Sequence, residues 1–145
     1  MKTQTWWNSW LMMLCIAAGQ PAFAAVATNE VPKPASPSSK AVVRVGVDEF
    51  EKMSHDKKNV VLDVRTKKEF DNGHIPGALN LDVNAPDFEQ KVAGLEKDKL
   101  YLVHCAAGVR SARACDKMSK LGFLHLVDLA PGFRGWEKAG KPVEK

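Results

Sequence analysis

The chain has 145 residues, 26% of them charged and 45% apolar, with a formal net charge of +4. That length supports one compact domain around a single core. Lysines and acids are interspersed, as in "DEFEKMSHDKK" and "LEKDK", so the charge reads as a solvated surface. It does not form the basic, aromatic-interleaved face that nucleic acid needs.

Residues 1–24, "MKTQTWWNSWLMMLCIAAGQPAFA", begin with Lys2 and carry an apolar run from Trp10 to Ala18. That run is too short to cross a bilayer as a helix, and the segment ends in the small-residue site Ala22-Phe23-Ala24. The pattern predicts a cleaved secretory signal peptide and a mature chain that starts at Ala25. Such a chain is periplasmic or secreted, with no stable membrane insertion. Cys15 follows Leu14, where lipid attachment needs a small residue, so a lipoprotein is not expected. Residues 25–40 are rich in Pro, Ser and Ala and too poor in large apolar side chains to offset ordering; they predict a flexible linker. The globular domain is expected over residues 41–145, and no internal repeat is visible.

Within that domain, "AVVRVGV" (Ala41 to Val47) predicts a strand, and Asp48 is placed to cap the helical "EFEKMSHD". "NVVLDV" (Asn59 to Val64) is a nearly continuous apolar run, the pattern of a strand buried on both faces. "TKKEFDNG" predicts a short helix with Thr66 as cap, Glu69 in the capping-box position and Gly73 as stop. "HIPGALNLD" is extended, because Ile75 before Pro76 is pushed away from helical angles. "APDFEQKVAGL" predicts another helix, and "KLYLVHC" (Lys99 to Cys105) a second fully apolar strand. "RSARACDKMSKLG" (Arg110 to Gly122) predicts a helix closed by its glycine, followed by the strand "FLHLVDLA" and the helix "GFRGWEKAG". This alternation predicts an α/β fold with a mostly parallel central sheet and helices on both faces. In such sheets, ligands sit outside the carboxyl ends of the strands, which is where Cys105 falls.

"CAAGVRS" joins a buried strand to a helix start through a loop of small residues. Gly108 permits backbone angles closed to other residues, so the N–H groups of Ala106, Ala107, Gly108, Val109 and Arg110 can converge into an anion-binding nest. The helix dipole and Arg110 add positive potential, and a cysteine in that setting ionises near neutral pH. Cys105 is therefore the candidate nucleophile. Loss of Cys15 with the signal leaves Cys105 and Cys115, open in an exported protein to a disulfide or to a retained reactive thiol. Cys115 shares a helix face with Ala112 and Met118 and reads as core, too far into its helix for ready pairing with Cys105. His104 points to the opposite face of its strand from Cys105, which argues against a general base. No metal-ligand spacing links the four histidines and the cysteines, so no metal site is expected.

Three blocks in order, "VVLDVRTKKEFDNGHIPGALNL", "LYLVHCAAGVRSARAC" and "LGFLHLVDLAPGFRGWEKAGKPV", resemble a single-domain rhodanese, a sulfurtransferase. The resemblance covers nearly all of Ala41 to Val143 and implies a three-layer sandwich. It implies a double displacement in which Cys105 takes sulfur from a sulfane donor such as thiosulfate and passes it, as a persulfide, to cyanide or a thiol. The loop Ala106 to Arg110 would hold the sulfur anion, with no cofactor. Asp63 and Arg65 match the first block as supporting residues, in an ion-pair network with Glu69 and His74 or in direct catalysis. Arg113 flanks the mouth, and Trp136 matches a packing aromatic. The apolar rim of Ala106, Ala107 and Val109 suits a protein-borne or organic persulfide as well as a small donor. Two other readings stay open: a sulfur carrier or partner-binding module without turnover, and a cysteine phosphatase or arsenate reductase. The latter needs five residues between cysteine and arginine, whereas Cys105 and Arg110 are separated by four.

Overall fold

The computed structural model describes residues 42–145. The signal peptide and linker expected over residues 1–40 lie outside the described residues. The chain alternates strands and helices in the order β1 (Val43–Val45), α1 (Val47–Ser54), β2 (Val60–Asp63), α2 (Lys67–Asp71), β3 (Leu79–Asn80). It continues with α3 (Phe88–Ala93), β4 (Leu100–His104), α4 (Val109–Lys120), β5 (His125–Leu129) and α5 (Gly132–Lys138). The five strands form one sheet in the order β1-β5-β4-β2-β3, and every pairing is parallel. Among the described residues, no helix is long and apolar enough to cross a membrane.

Alternation along the buried strands builds a core on each face. Tyr101, Val103 and Cys105 point to one side and pack with Leu62, Leu126 and the helices α3 and α4 through Phe88, Val92, Ala114, Cys115 and Met118. Leu102 points to the other side with Val45, Val61, Val127 and Leu129, against Phe50 of α1 and Phe133 and Trp136 of α5. The expected three-layer α/β arrangement is therefore present. The chain leaves β2 for the β3 edge and returns to place β4 on β2's other side. This reversal opens a crevice beyond the carboxyl ends of β2 and β4.

The two capping signals of α1 and α2 have different outcomes. Thr66 caps α2 in a full capping box: its side chain accepts from the Glu69 N–H while the Glu69 carboxylate accepts from the Thr66 N–H. Asp48, by contrast, is not a cap. The helix starts one residue earlier, at Val47, after an extended Gly46, and the Phe50 N–H closes the first turn on the Gly46 carbonyl at 3.1 Å. Asp48 sits in that first turn, where it favours the helix dipole and meets Lys141 Nζ at 2.9 Å.

One contact sets the height of the cysteine loop. Gly132 has φ +62°, and a Cβ there would lie 2.6 Å from the Ala106 carbonyl carbon and the Ala107 nitrogen. Gly132→Ala is expected to cost about 2–4 kcal/mol, from left-handed strain plus a backbone clash, in urea unfolding followed by circular dichroism.

Candidate active site

β4 ends at His104, and the next residue, Cys105, is 1% exposed. The loop after it turns its carbonyls outward. Cys105 O accepts from the Phe133 N–H at 2.7 Å, and Ala106 O accepts from the Arg134 N–H at 3.1 Å. With those acceptors engaged by α5, the loop's own N–H groups are left to face inward. Gly108 adopts φ +83° and directs its N–H to Cys105 Sγ at 3.2 Å.

Burial is the largest influence on the Cys105 thiol and pushes its pKa up. The Ser111 hydroxyl and the N–H groups of Ser111, Ala107 and Gly108 act against it, and their sum leaves the pKa below that of an ordinary thiol. Ser111 was not singled out as a functional residue from the sequence. It is fully buried in the first turn of α4, and its hydroxyl engages no protein acceptor of good geometry among the described residues. Its influence on Cys105 is to lower the thiol's pKa, so a thiolate there is an acceptor open to this hydroxyl. The signal available in sequence was a serine inside the first turn of a helix that an apolar core covers.

The other loop positions divide by role. Ala106 is half-buried beside an open cleft of about 250 Å³, which Arg65, Glu69, Phe133, Arg134 and Glu137 also line. Ala107 is exposed, and Val109 is 78% exposed, so the apolar rim expected from the sequence faces solvent. Arg110 does not supply an unpaired positive charge. Its guanidinium grips Glu69 in a two-pronged pair, with both contacts at 2.7 Å. Arg110, then its Thr66 bonds, outweigh partial burial and hold the Glu69 carboxyl down to about 2.

Asp63 and Arg65 lie together at the end of β2, both buried. The Asp63 carboxylate accepts from Arg65 Nε at 3.0 and 2.9 Å and from Nη2 at 2.6 Å, and Nη2 also reaches the Gly73 carbonyl at 2.7 Å. The guanidinium carbon stands 4.0 Å from the Phe133 ring centroid. The pair thus ties β2 to the α2–β3 loop and to α5. The ion-pair network drawn from sequence differs in its other members. Glu69 turns to Arg110, while His74 is hydrogen-bonded at Nδ1 to the Phe70 carbonyl and approaches Glu144. Both oxygens of Asp63 are already occupied by Arg65.

His104 points away from the thiol, between Phe50 and Phe133, with Nε2 3.8 Å from Asp63 Oδ2. Burial lowers its pKa to about 4 against the pull of Asp63, so the ring is neutral at physiological pH. Cys115 is fully buried and free, and burial pushes its thiol up to about 12. Arg113 bonds the exposed Asn84 side chain, and Trp136 fills the core with Nε1–H on the Pro142 carbonyl. Among the described residues, no group of three or more His, Cys, Asp or Glu side chains is arranged to hold a metal ion.

Known proteins resemble this chain in sequence and fold. The family model of the rhodanese-like domain matches residues 46–139. The mitochondrial protein HIGH ARSENIC CONTENT 1 of Arabidopsis thaliana is 37% identical over 94 residues, which cover 58% of this chain and 56% of that one. Putative sulfur carrier protein YrkF of Bacillus subtilis is 30% identical over 103 residues, 70% of this chain and 54% of that one. The chain therefore spans little more than half the length of these two relatives. Putative sulfurtransferase YtwF of Bacillus subtilis is 34% identical over 92 residues, 63% of this chain and 86% of that one. Among solved structures, a rhodanese-related protein from Thermoplasma volcanium aligns with a TM-score of 0.63 at 31% identity, covering 70% of this chain and 97% of that one. The parallel sheet, the cysteine loop after β4 and these matches together place the chain in the rhodanese-like domain family.

Proposed function

We propose that the protein is a sulfurtransferase that carries sulfane sulfur on Cys105. The observation that carries this reading is the position of Sγ. It is buried at the focus of the Ala107, Gly108 and Ser111 amides, with a hydroxyl that lacks any other acceptor of good geometry. In the first half-reaction the Cys105 thiolate attacks the outer sulfur of a donor such as thiosulfate. An S–S bond forms at Cys105, the donor's S–S bond breaks, and sulfite leaves with the electron pair. In the second, cyanide or a thiolate attacks the outer sulfur of the persulfide; the Cys105–sulfur bond breaks and the thiolate returns. No net redox change in the protein and no cofactor is needed. The inward amides stabilise anionic sulfur before and after each transfer, at no reorganisation cost.

Arg65 and Asp63 act as scaffold in this scheme, because Asp63 and the Gly73 carbonyl take up Arg65 Nε and Nη2. The exposed Val109 and Ala107 rim fits a donor or acceptor borne on a protein or an organic chain, and a relative named as a sulfur carrier is consistent with that class of partner. The reading includes export. Residues 1–24 have the composition of a cleaved signal, so the domain would work in the periplasm or outside the cell.

Three outcomes are expected. Incubation with thiosulfate should add one sulfur to the mass of Cys105, and cyanide should remove it as thiocyanate. Cys105→Ser should do neither, and a wild-type protein that takes sulfur from no donor would remove the basis of this assignment. Ser111→Ala should raise the pH midpoint of Cys105 alkylation by about one unit. A hydrogen bond to the charged form is lost, so the thiolate fraction at any lower pH falls; iodoacetamide kinetics across pH measure it. Amino-terminal sequencing of the protein recovered from a periplasmic extract should begin at Ala25.

A further inference from the structure

Leu126, Val127 and Leu129 of β5 are buried and apolar, yet Asp128 among them is a fully buried carboxylate. The parallel register of β1 and β5 sets Arg44 opposite Asp128, and Arg44 Nε–H donates to Asp128 Oδ2 at 2.9 Å. The second oxygen, Oδ1, has no hydrogen-bond partner among the described residues. A half-satisfied buried carboxylate is expensive, and an apolar side chain would serve the sheet better. Its presence calls for an explanation in what Arg44 touches.

Arg44 reaches the cysteine loop. Its Nη2 lies 3.3 Å from the point that a Cβ would occupy on Gly108, and the Ala130 carbonyl oxygen lies 2.2 Å from the same point. Gly108 is the left-handed residue whose N–H donates to Cys105 Sγ. One face of that glycine is therefore closed by a carbonyl from the end of β5 and by a guanidinium anchored on a buried carboxylate. A rotation of Gly108 that turned its N–H off the sulfur would have to move past both.

We propose that Arg44, held by Asp128, is a positioning residue for the cysteine loop, bracing Gly108 so that its N–H stays on the Cys105 sulfur. The consequence for turnover rests on the sulfur-transfer reading; the consequence for the thiol rests on geometry alone. Arg110 of α4, which Glu69 of α2 already pairs, and the buried Cys115 also act on Cys105, while Arg65 after β2 and Arg134 and Glu137 of α5 line the cleft beside Ala106. His104 faces the opposite side of the sheet.

Arg44 is a practical site to change. Its side chain is 56% exposed and lines an open groove of about 310 Å³ between β1 and α4, so shortening it admits solvent rather than leaving a buried void. In Arg44→Met, the pH midpoint for alkylation of Cys105, read by mass at that residue, should rise by about half a unit or more, with Arg44→Lys recovering part of the shift. Discharge of a preformed Cys105 persulfide to cyanide should slow about threefold to tenfold in the Met variant, following the loss of anion stabilisation. Asp128→Asn, which keeps an acceptor for Arg44, should shift the midpoint less than Arg44→Met does. A Met variant that only melts earlier, with its alkylation midpoint unchanged, overturns the brace and leaves Arg44 as an edge-strand tether. A shifted midpoint in a protein that takes up no sulfur from any donor upholds the brace and overturns the transfer reading instead.

Discussion

The orientation of the cysteine loop depends on two hydrogen bonds at its back, from the Phe133 and Arg134 amides to the carbonyls of Cys105 and Ala106. Those bonds draw the loop carbonyls toward α5 and leave the amides on the side of the sulfur. They can form because Gly132 lets the two backbones approach, with a separation that excludes even a methyl group. The site is in this sense made by the chain after β5 as much as by the loop itself. A cysteine at the end of a strand becomes a candidate nucleophile once the following backbone is held with its donors inward.

Neutral dipoles, rather than free charges, set the state of the thiol. Four arginines around the site are matched by an acid or a polar side chain: Arg110 by Glu69, Arg65 by Asp63, Arg44 by Asp128 and Arg113 by Asn84. A paired guanidinium offers little net potential to an anion a few ångströms away. Burial alone would keep Cys105 protonated, as it does Cys115, whose pKa is pushed up to about 12. The difference between the two thiols is the set of donors around Cys105, which Cys115 lacks in the middle of α4. Those donors are the Ser111 hydroxyl and the amides of Ser111, Ala107 and Gly108, all held within the loop and the first turn of α4.

The buried Asp63–Arg65 pair joins this back wall to the other half of the sheet. By reaching Gly73 and stacking on Phe133, Arg65 links the loop after α2 with the helix that holds the cysteine loop. A buried ion pair is worth keeping when its geometry is complete, and here every Asp63 oxygen is engaged. The pair therefore serves as a joint between elements that pack from different parts of the chain.

Much of the fold was legible in the residues, because its signals are local. The apolar runs of β2 and β4, the Thr66–Glu69 capping box and the glycine loop after Cys105 each state their geometry within a few positions. The assignment of opposite faces to His104 and Cys105 followed from the two-residue period of a strand. Asp48 misled because a cap is chosen by where the preceding strand lets go, and β1 releases at Val45 through its pairing with Leu129. Long-range matters were closed to sequence: that Arg110 gives its charge to Glu69, and that Arg44 lies against Gly108. Sequence by itself determined the alternating elements, the place of Cys105 beyond β4 and the length of its loop, since period, propensity and spacing are properties of neighbouring residues. Only the tertiary structure decided how the loop amides are turned toward the sulfur and which charges are paired, because both depend on groups that the fold brings together from tens of residues apart: the Phe133 and Arg134 amides behind the loop, Glu69 on Arg110 and Asp128 on Arg44.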